Sequence, residues 1–221
     1  MINIRGVDVV NFEKYVNLVN WFFENDNREE NYQNRVLIPF FEKICPDFNV
    51  VDTSMLTKNW DGRCSIDIER DKFAGFYTPD LLIASNWKLY KKENVNYYIL
   101  IEIKTPMAQD RKHAELEVKE YLDKVPFVVL TDCVTWEFYM KEGEQVYYSW
   151  YSLEQEHKTI HIERDKRYKK NQRLKSIVYN YPVQVCKRKG PASLRWSDVN
   201  WEKIKSIITC RNIDKEKAVV L

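Results

Sequence analysis

One apolar run in this sequence, Tyr97-Tyr98-Ile99-Leu100-Ile101-Glu102-Ile103-Lys104, ends in an acid and a base. Side chains alternate along a strand, so Glu102 and Lys104 share one side while Ile101 and Ile103 take the other. Two charges at the end of a buried strand are costly unless a partner, a metal or solvent compensates them. An acid and a base two residues apart also arise by chance, about five times at this composition, so the pair needs company. It has company upstream, in Thr78-Pro79-Asp80-Leu81-Leu82-Ile83-Ala84, where an acid opens another apolar run. A hairpin spanning Asn86 to Asn96 would bring Asp80 and Glu102 together, with Lys104 two residues further on. The two carboxylates and the Ile103 carbonyl then offer oxygen ligands to a hard divalent cation, Mg2+ or Mn2+, which keeps waters in its other positions. Such a cation polarises a phosphoryl oxygen and makes water more acidic, and Lys104 can orient that water or stabilise charge developing on phosphate. The chemistry in outline is phosphodiester hydrolysis.

The elements that must position these residues follow from hydrophobic period. Asn11 to Asn25 carries Phe12, Tyr15, Val16, Leu18, Val19, Phe22 and Phe23 at helical spacing, which predicts an amphipathic helix. A second helix is expected from Arg28 to Ile44, bent by Pro39 and ended at Cys45-Pro46-Asp47. Phe48 to Met55, Cys64 to Ile68, Thr78 to Ala84 and Tyr97 to Lys104 read as strands. Ala108 to Lys124 reads as a third helix and Val125 to Leu130 as a buried strand. Trp136 to Met140 and Gln145 to Ser152 read as a hairpin around Glu142-Gly143, and Ser197 to Cys210 as a last helix. The strand, helix, strand unit from Tyr97 to Leu130 predicts a crossover and at least one parallel pair. The expected fold is α/β, with a mixed central sheet of four or five strands flanked by helices and a β-rich basic extension at the carboxy end.

Composition excludes several classes. With 44% hydrophobic and 14% aromatic residues the chain has the content that drives collapse, unlike a disordered one. No apolar run reaches the ~18 residues that cross a bilayer, and Met1 to Val10 lacks a signal-type pattern, so a cytoplasmic protein with no membrane partner is expected. Cys45, Cys64, Cys133, Cys186 and Cys210 form no C-x-x-C pair and read as reduced thiols. His157 and His161 fall in strand and loop, not on a helix that would aim both at a metal. The five glycines make no phosphate-cradling loop, which excludes an ATP motor. The net charge of +2 hides a segment from Lys158 to Lys189 with eleven Lys/Arg against two Asp/Glu. Interleaved with Tyr168, Tyr179 and Tyr181, that run suits a polyanion, and Lys169, Lys170 and Arg173 are its candidate nucleic-acid contacts. A solvated surface ribbon is the alternative for such a run.

Pro79-Asp80 followed by Glu102-Ile103-Lys104 resembles the core motif of the PD-(D/E)xK nucleases. Further matches make the chain similar to the amino-terminal nuclease domain of type I restriction enzyme R subunits. Glu29-Glu30-Asn31-Tyr32-Gln33-Asn34-Arg35-Val36-Leu37-Ile38-Pro39 is similar to that family's first helix; by register from Pro39 its acid is Glu29, with Glu30 one residue away. Val125 to Tyr139, with Thr131-Asp132-Cys133 and Trp136-Glu137-Phe138-Tyr139, is similar to its strand, turn and strand, although Cys133 replaces the usual glycine. Glu117-Val118-Lys119-Glu120-Tyr121 stands where the family carries Gln-x-x-x-Tyr, so Glu117 adds a negative charge at an expected DNA contact. The likeness covers Arg28 to Tyr139.

It implies a Mg2+- or Mn2+-dependent endonuclease without the motor, in restriction or phage defence, leaving 5′-phosphates. Asp80, Glu102 and Ile103 would hold the metal, Glu29 would complete the acidic cluster and Lys104 would act on water or phosphate. Glu117 and Tyr121 would meet DNA, although Tyr121 also shares its helix face with the core positions Val118 and Leu122. The implied partners are DNA and restriction-modification subunits. Residues 1–152 would form the nuclease-like domain and 153–221 the basic extension packed on it. The rival reading is a non-catalytic nucleic-acid-binding or complex-forming module that keeps the fold.

Overall fold

The computed structural model describes residues 7–53, 79–87, 95–106, 114–154 and 196–221. Helix α1 (Phe12–Asn25) starts where the Asn11 side chain accepts the Lys14 N–H at 3.1 Å, and it buries Tyr15, Leu18, Val19 and Phe22 as the helical period requires. The expected second helix is one run in three pieces: α2 (Glu29–Tyr32), a π-helical turn (Gln33–Leu37) and α3 (Ile38–Ile44). Pro39 accounts for the irregularity. It has no N–H for the Arg35 carbonyl and its ring crowds that group. The preceding turn therefore widens, and the Ile38 N–H donates to Gln33 O, five residues back.

The strands are β1 (Asn49–Asp52), β2 (Leu81–Ser85), β3 (Asn96–Ile103), β4 (Phe127–Thr131), β5 (Thr135–Glu142), β6 (Gln145–Ser152) and β7 (Val219–Val220). They form one seven-stranded sheet in chain order. All neighbours are antiparallel except β3 and β4, which pair in parallel on either side of α4 (Ala114–Leu122) in the chain. The sheet is thus mixed and flanked by helices, as expected, but wider than the four or five strands anticipated. Two additions widen it. β6 continues the sheet along the whole length of β5, through a tight turn in which Gly143 takes φ +56. The chain end then returns to lay β7 beside Tyr147 and Tyr148.

One sheet face packs against α1, the α2–α3 run and α5 (Trp201–Cys210), around Tyr15, Phe40, Trp136 and Trp201. The Phe40 and Trp136 rings lie 5.4 Å apart and those of Tyr15 and Trp201 4.8 Å. Trp201 Nε1 also donates to Val10 O at 3.0 Å, tying α5 to the beginning of the described chain. The other face, with Leu82, Leu100, Val128 and Leu130, is covered by Val118 and Tyr121 of α4.

From the expected carboxy-terminal extension, α5 and β7 are seen, together with an isolated bridge between Glu154 and Trp196. Its basic run, with Lys169, Lys170 and Arg173, lies outside the described residues. So do His157 and His161 and the residues of the strand expected from Cys64 to Ile68. Among the described residues Cys45, Cys133 and Cys210 are free thiols, and no helix is long and apolar enough to cross a membrane.

Candidate active site

The chemistry-bearing side chains meet at one end of β2 and β3. Asp80 stands immediately before β2, and its main chain is held from both neighbouring strands. Its N–H donates to Ile101 O at 3.0 Å and its carbonyl accepts the Thr53 N–H at 3.0 Å. Thr53 Oγ1 donates to Pro79 O at 2.6 Å, and Gln33 Nε2, carried by the π turn, reaches the Asp80 carbonyl at 3.5 Å, the long limit of a hydrogen bond. So fixed, the carboxylate turns inward and Oδ2 accepts the Ile103 N–H at 2.7 Å. That contact seats Asp80 against the chain between Glu102 and Lys104.

Ile101 and Ile103 pack into the helical face behind, so alternation turns Glu102 toward α4. Glu102 is 4% exposed. Its Oε1 accepts from Lys104 Nζ, and its Oε2 accepts the Tyr121 hydroxyl at 3.0 Å. Lys104 Nζ also lies 3.5 Å from Glu117 Oε2. Glu117 and Tyr121 are four residues apart on α4, which puts both over the same end of the sheet.

Electrostatics follows from one buried ammonium that pairs with Glu102 and Glu117 and has Asp80 nearby. Burial pushes the Asp80 carboxyl up to about 6; the Ile103 N–H and Lys104 oppose the rise, while Glu117 and Asp52 add to it. Burial also raises Glu102 well above the usual carboxylate range, reinforced by the neighbouring Asp80 and resisted by Lys104. For Lys104 burial works against the charge, but Glu102, Glu117 and Asp80 outweigh it and hold the ammonium above its ordinary value. Burial is likewise the main reason the Tyr121 hydroxyl stays protonated and donating, with Glu102 next.

The expected convergence of Asp80, Glu102, Ile103 and Lys104 is present. Glu29 is different: it lies in the first turn of α2 and does not join Asp80 and Glu102 in a group of three that could hold a metal ion, nor does any other set of three acids, histidines or cysteines among the described residues. The widened turn after it brings Gln33, four residues on, to Asp80 instead. Glu30 is exposed. Tyr121, read both as sharing the core-facing side of its helix and as a DNA contact, takes the core position: the residue is 3% exposed and its hydroxyl is engaged by Glu102. Glu117 likewise faces Lys104.

Sequence reading missed Gln33, Thr53 and Asp52. For Gln33 a signal exists, since it is an amide set among the apolar positions Tyr32, Val36 and Leu37; Thr53 and Asp52 carry none beyond the end of a strand. The donor set is hard oxygen throughout. Asp80 binds the Ile103 N–H with Oδ2 and keeps Oδ1 for a ligand, while Glu102 accepts one bond at each oxygen and retains further lone pairs. Such donors fit Mg2+ or Mn2+ better than a soft metal.

Tyr121→Phe tests how Glu102 is satisfied. Removing the hydroxyl leaves a buried carboxylate oxygen without its donor, at a cost of about 1.5–3 kcal/mol, to be read from urea unfolding. An unchanged midpoint would show that the tyrosine hydroxyl does not support Glu102.

Comparison of the chain with models of protein families, with curated proteins and with solved structures finds no match.

Proposed function

We propose that this chain is a divalent-metal-dependent DNA endonuclease with a PD-(D/E)xK-type, restriction-endonuclease-like core, similar to the nuclease domain of type I restriction R subunits and serving restriction or phage defence. One observation carries the reading: Asp80, Glu102 and Lys104, from two neighbouring strands, meet at one buried end of a mixed sheet. Asp80, Glu102 and the Ile103 carbonyl would hold the cation. When bound, it supplies positive charge that polarises a phosphoryl oxygen and makes water a stronger acid. The protein's part is placement. Thr53, Gln33 and Ile101 hold the Asp80 main chain, and Tyr121 holds Glu102 in one orientation. Lys104 is charged at neutral pH and orients the attacking water or stabilises the negative charge that grows on phosphate. In-line attack then breaks the bond to the 3′ oxygen and leaves the phosphate on the 5′ end. Lys169, Lys170 and Arg173 are the proposed contacts to the DNA backbone.

The test pairs Mn2+ titration calorimetry with plasmid nicking in Mg2+ or Mn2+, on the wild type and on Asp80→Ala. The expected result is cation binding and metal-dependent nicking by the wild type, with both lost in the variant and cleavage down by at least about 10³-fold. Gel retardation of DNA without strand breaks in either metal would replace the endonuclease with a binding module. Undetectable cation binding with and without DNA would remove the metal site.

A further inference from the structure

Lys104 is 9% exposed, and its ammonium cannot be left in such a place without an anion. Its first partner, Glu102, is the same carboxylate that an incoming divalent cation must engage. A cation at Glu102 and an ammonium on Glu102 Oε1 repel each other, so the lysine needs another anchor or must leave the site. Glu117 stands where that anchor belongs. Its Oε2 is buried, lies 3.5 Å from Lys104 Nζ and has no hydrogen-bond partner, so the ion pair stops just short of a hydrogen bond. The four-carbon lysine stem can close that gap by rotation alone. α4 thus offers one residue to each member of the pair: Tyr121 to Glu102 and Glu117 to Lys104.

We propose, resting on the nuclease reading above for the identity of the incoming cation, that Glu117 is a second anchor to which the Lys104 ammonium passes when Glu102 is taken by a divalent metal. Glu117 is then a positioning residue that acts through Lys104. It lets the metal and the lysine occupy the site together, and the negative charge that looks out of place beside a phosphate has its use there.

Thermal unfolding of the metal-free chain decides the anchor itself, using Glu102→Gln, Glu117→Gln, the double variant, and the double variant with Lys104→Met added. Each single change leaves the lysine one carboxylate and shifts Tm by no more than about 4 °C. The double change strands a buried ammonium and lowers Tm by about 5 °C or more beyond the sum of the singles, and Lys104→Met restores most of that loss. Additive singles, or a triple variant no better than the double, would overturn the proposal. If the double variant fails to fold, a folded triple supports the proposal and an unfolded triple overturns it.

A second arm uses Mn2+ affinity by calorimetry. Glu117→Gln should weaken Mn2+ about tenfold in the wild-type background and less than about twofold in Lys104→Met. Equal losses in both backgrounds would mean that Glu117 acts as a bare charge on the metal, which also overturns the anchor. A wild type that binds no Mn2+ removes the metal reading, and the unfolding arm then decides the anchor alone.

Discussion

Asp80→Asn is expected to melt about 5 °C above the wild-type chain at pH 7.5 while losing its affinity for Mn2+. The folded Asp80 carboxyl sits at about 6, against about 3.9 in an unfolded chain. Between those values the folded protein holds a proton that the unfolded chain has released. Stability therefore falls as pH rises through that window and stays reduced above it. A displacement of this size is worth at most about 3 kcal/mol, and one kcal/mol moves Tm by about 2–4 °C in a chain of this length. Asparagine keeps an oxygen for the Ile103 N–H and removes only the charge, so the variant avoids the cost of ionising a buried carboxyl. The check is Tm against pH from 4 to 8 without metal: the wild-type curve should drop through the window and the Asp80→Asn curve should run flatter and cross above it. Saturating Mn2+ should raise Tm of the wild type only. Parallel curves would show that Asp80 does not bear the burden of ionisation. A variant that melts higher yet still binds Mn2+ would separate that burden from metal binding.

That expected trade of stability for a charged site bears on what could be read in advance. Glu102 and Lys104 were legible because alternation in a strand is strict, and an apolar run that ends in two charges has nowhere to hide them. Asp80 was legible because it opens a second apolar run at hairpin distance, and the parallel pairing of β3 with β4 because a helix separates two buried strands. Gln33 was not, for a geometric reason. The 3.6-residue period that picks out Tyr32, Val36 and Phe40 fails at the π turn, where one extra residue per turn changes which side chain meets Asp80. Glu117 was singled out as a DNA contact, but its pairing with Lys104 was not legible: the partner is a lysine at a strand end, and no local pattern encodes a contact between distant segments. β7 left no pattern at all, since Val219 and Val220 are two residues with exposed side chains. Cys133 takes φ +69 in a turn where a glycine was expected; its carbonyl accepts the Tyr15 hydroxyl at 2.8 Å, a contact linking positions far apart in the chain.

Lys104→Met should be the most damaging single change in the site, for stability and for chemistry alike. Replacing both members of a buried ion pair with apolar groups is often neutral, whereas removing one member leaves a buried charge uncompensated at about 3–5 kcal/mol. Here the one ammonium serves both Glu102 and Glu117, so its loss leaves two carboxylates in one pocket. At pH 8 that is a large share of the roughly 5–15 kcal/mol that holds a domain folded. The loss should shrink at pH 5, because the Glu102 carboxyl, already pushed up by burial, takes a proton more readily once its cation is gone. Urea unfolding of wild type and Lys104→Met at both pH values measures this, and adding Glu102→Gln should recover part of the loss at pH 8. Nicking by Lys104→Met should fall by about 10²–10⁴-fold even where the protein is fully folded. A variant as stable as wild type at pH 8 would show that Glu102 and Glu117 do not depend on the ammonium for their place in the fold.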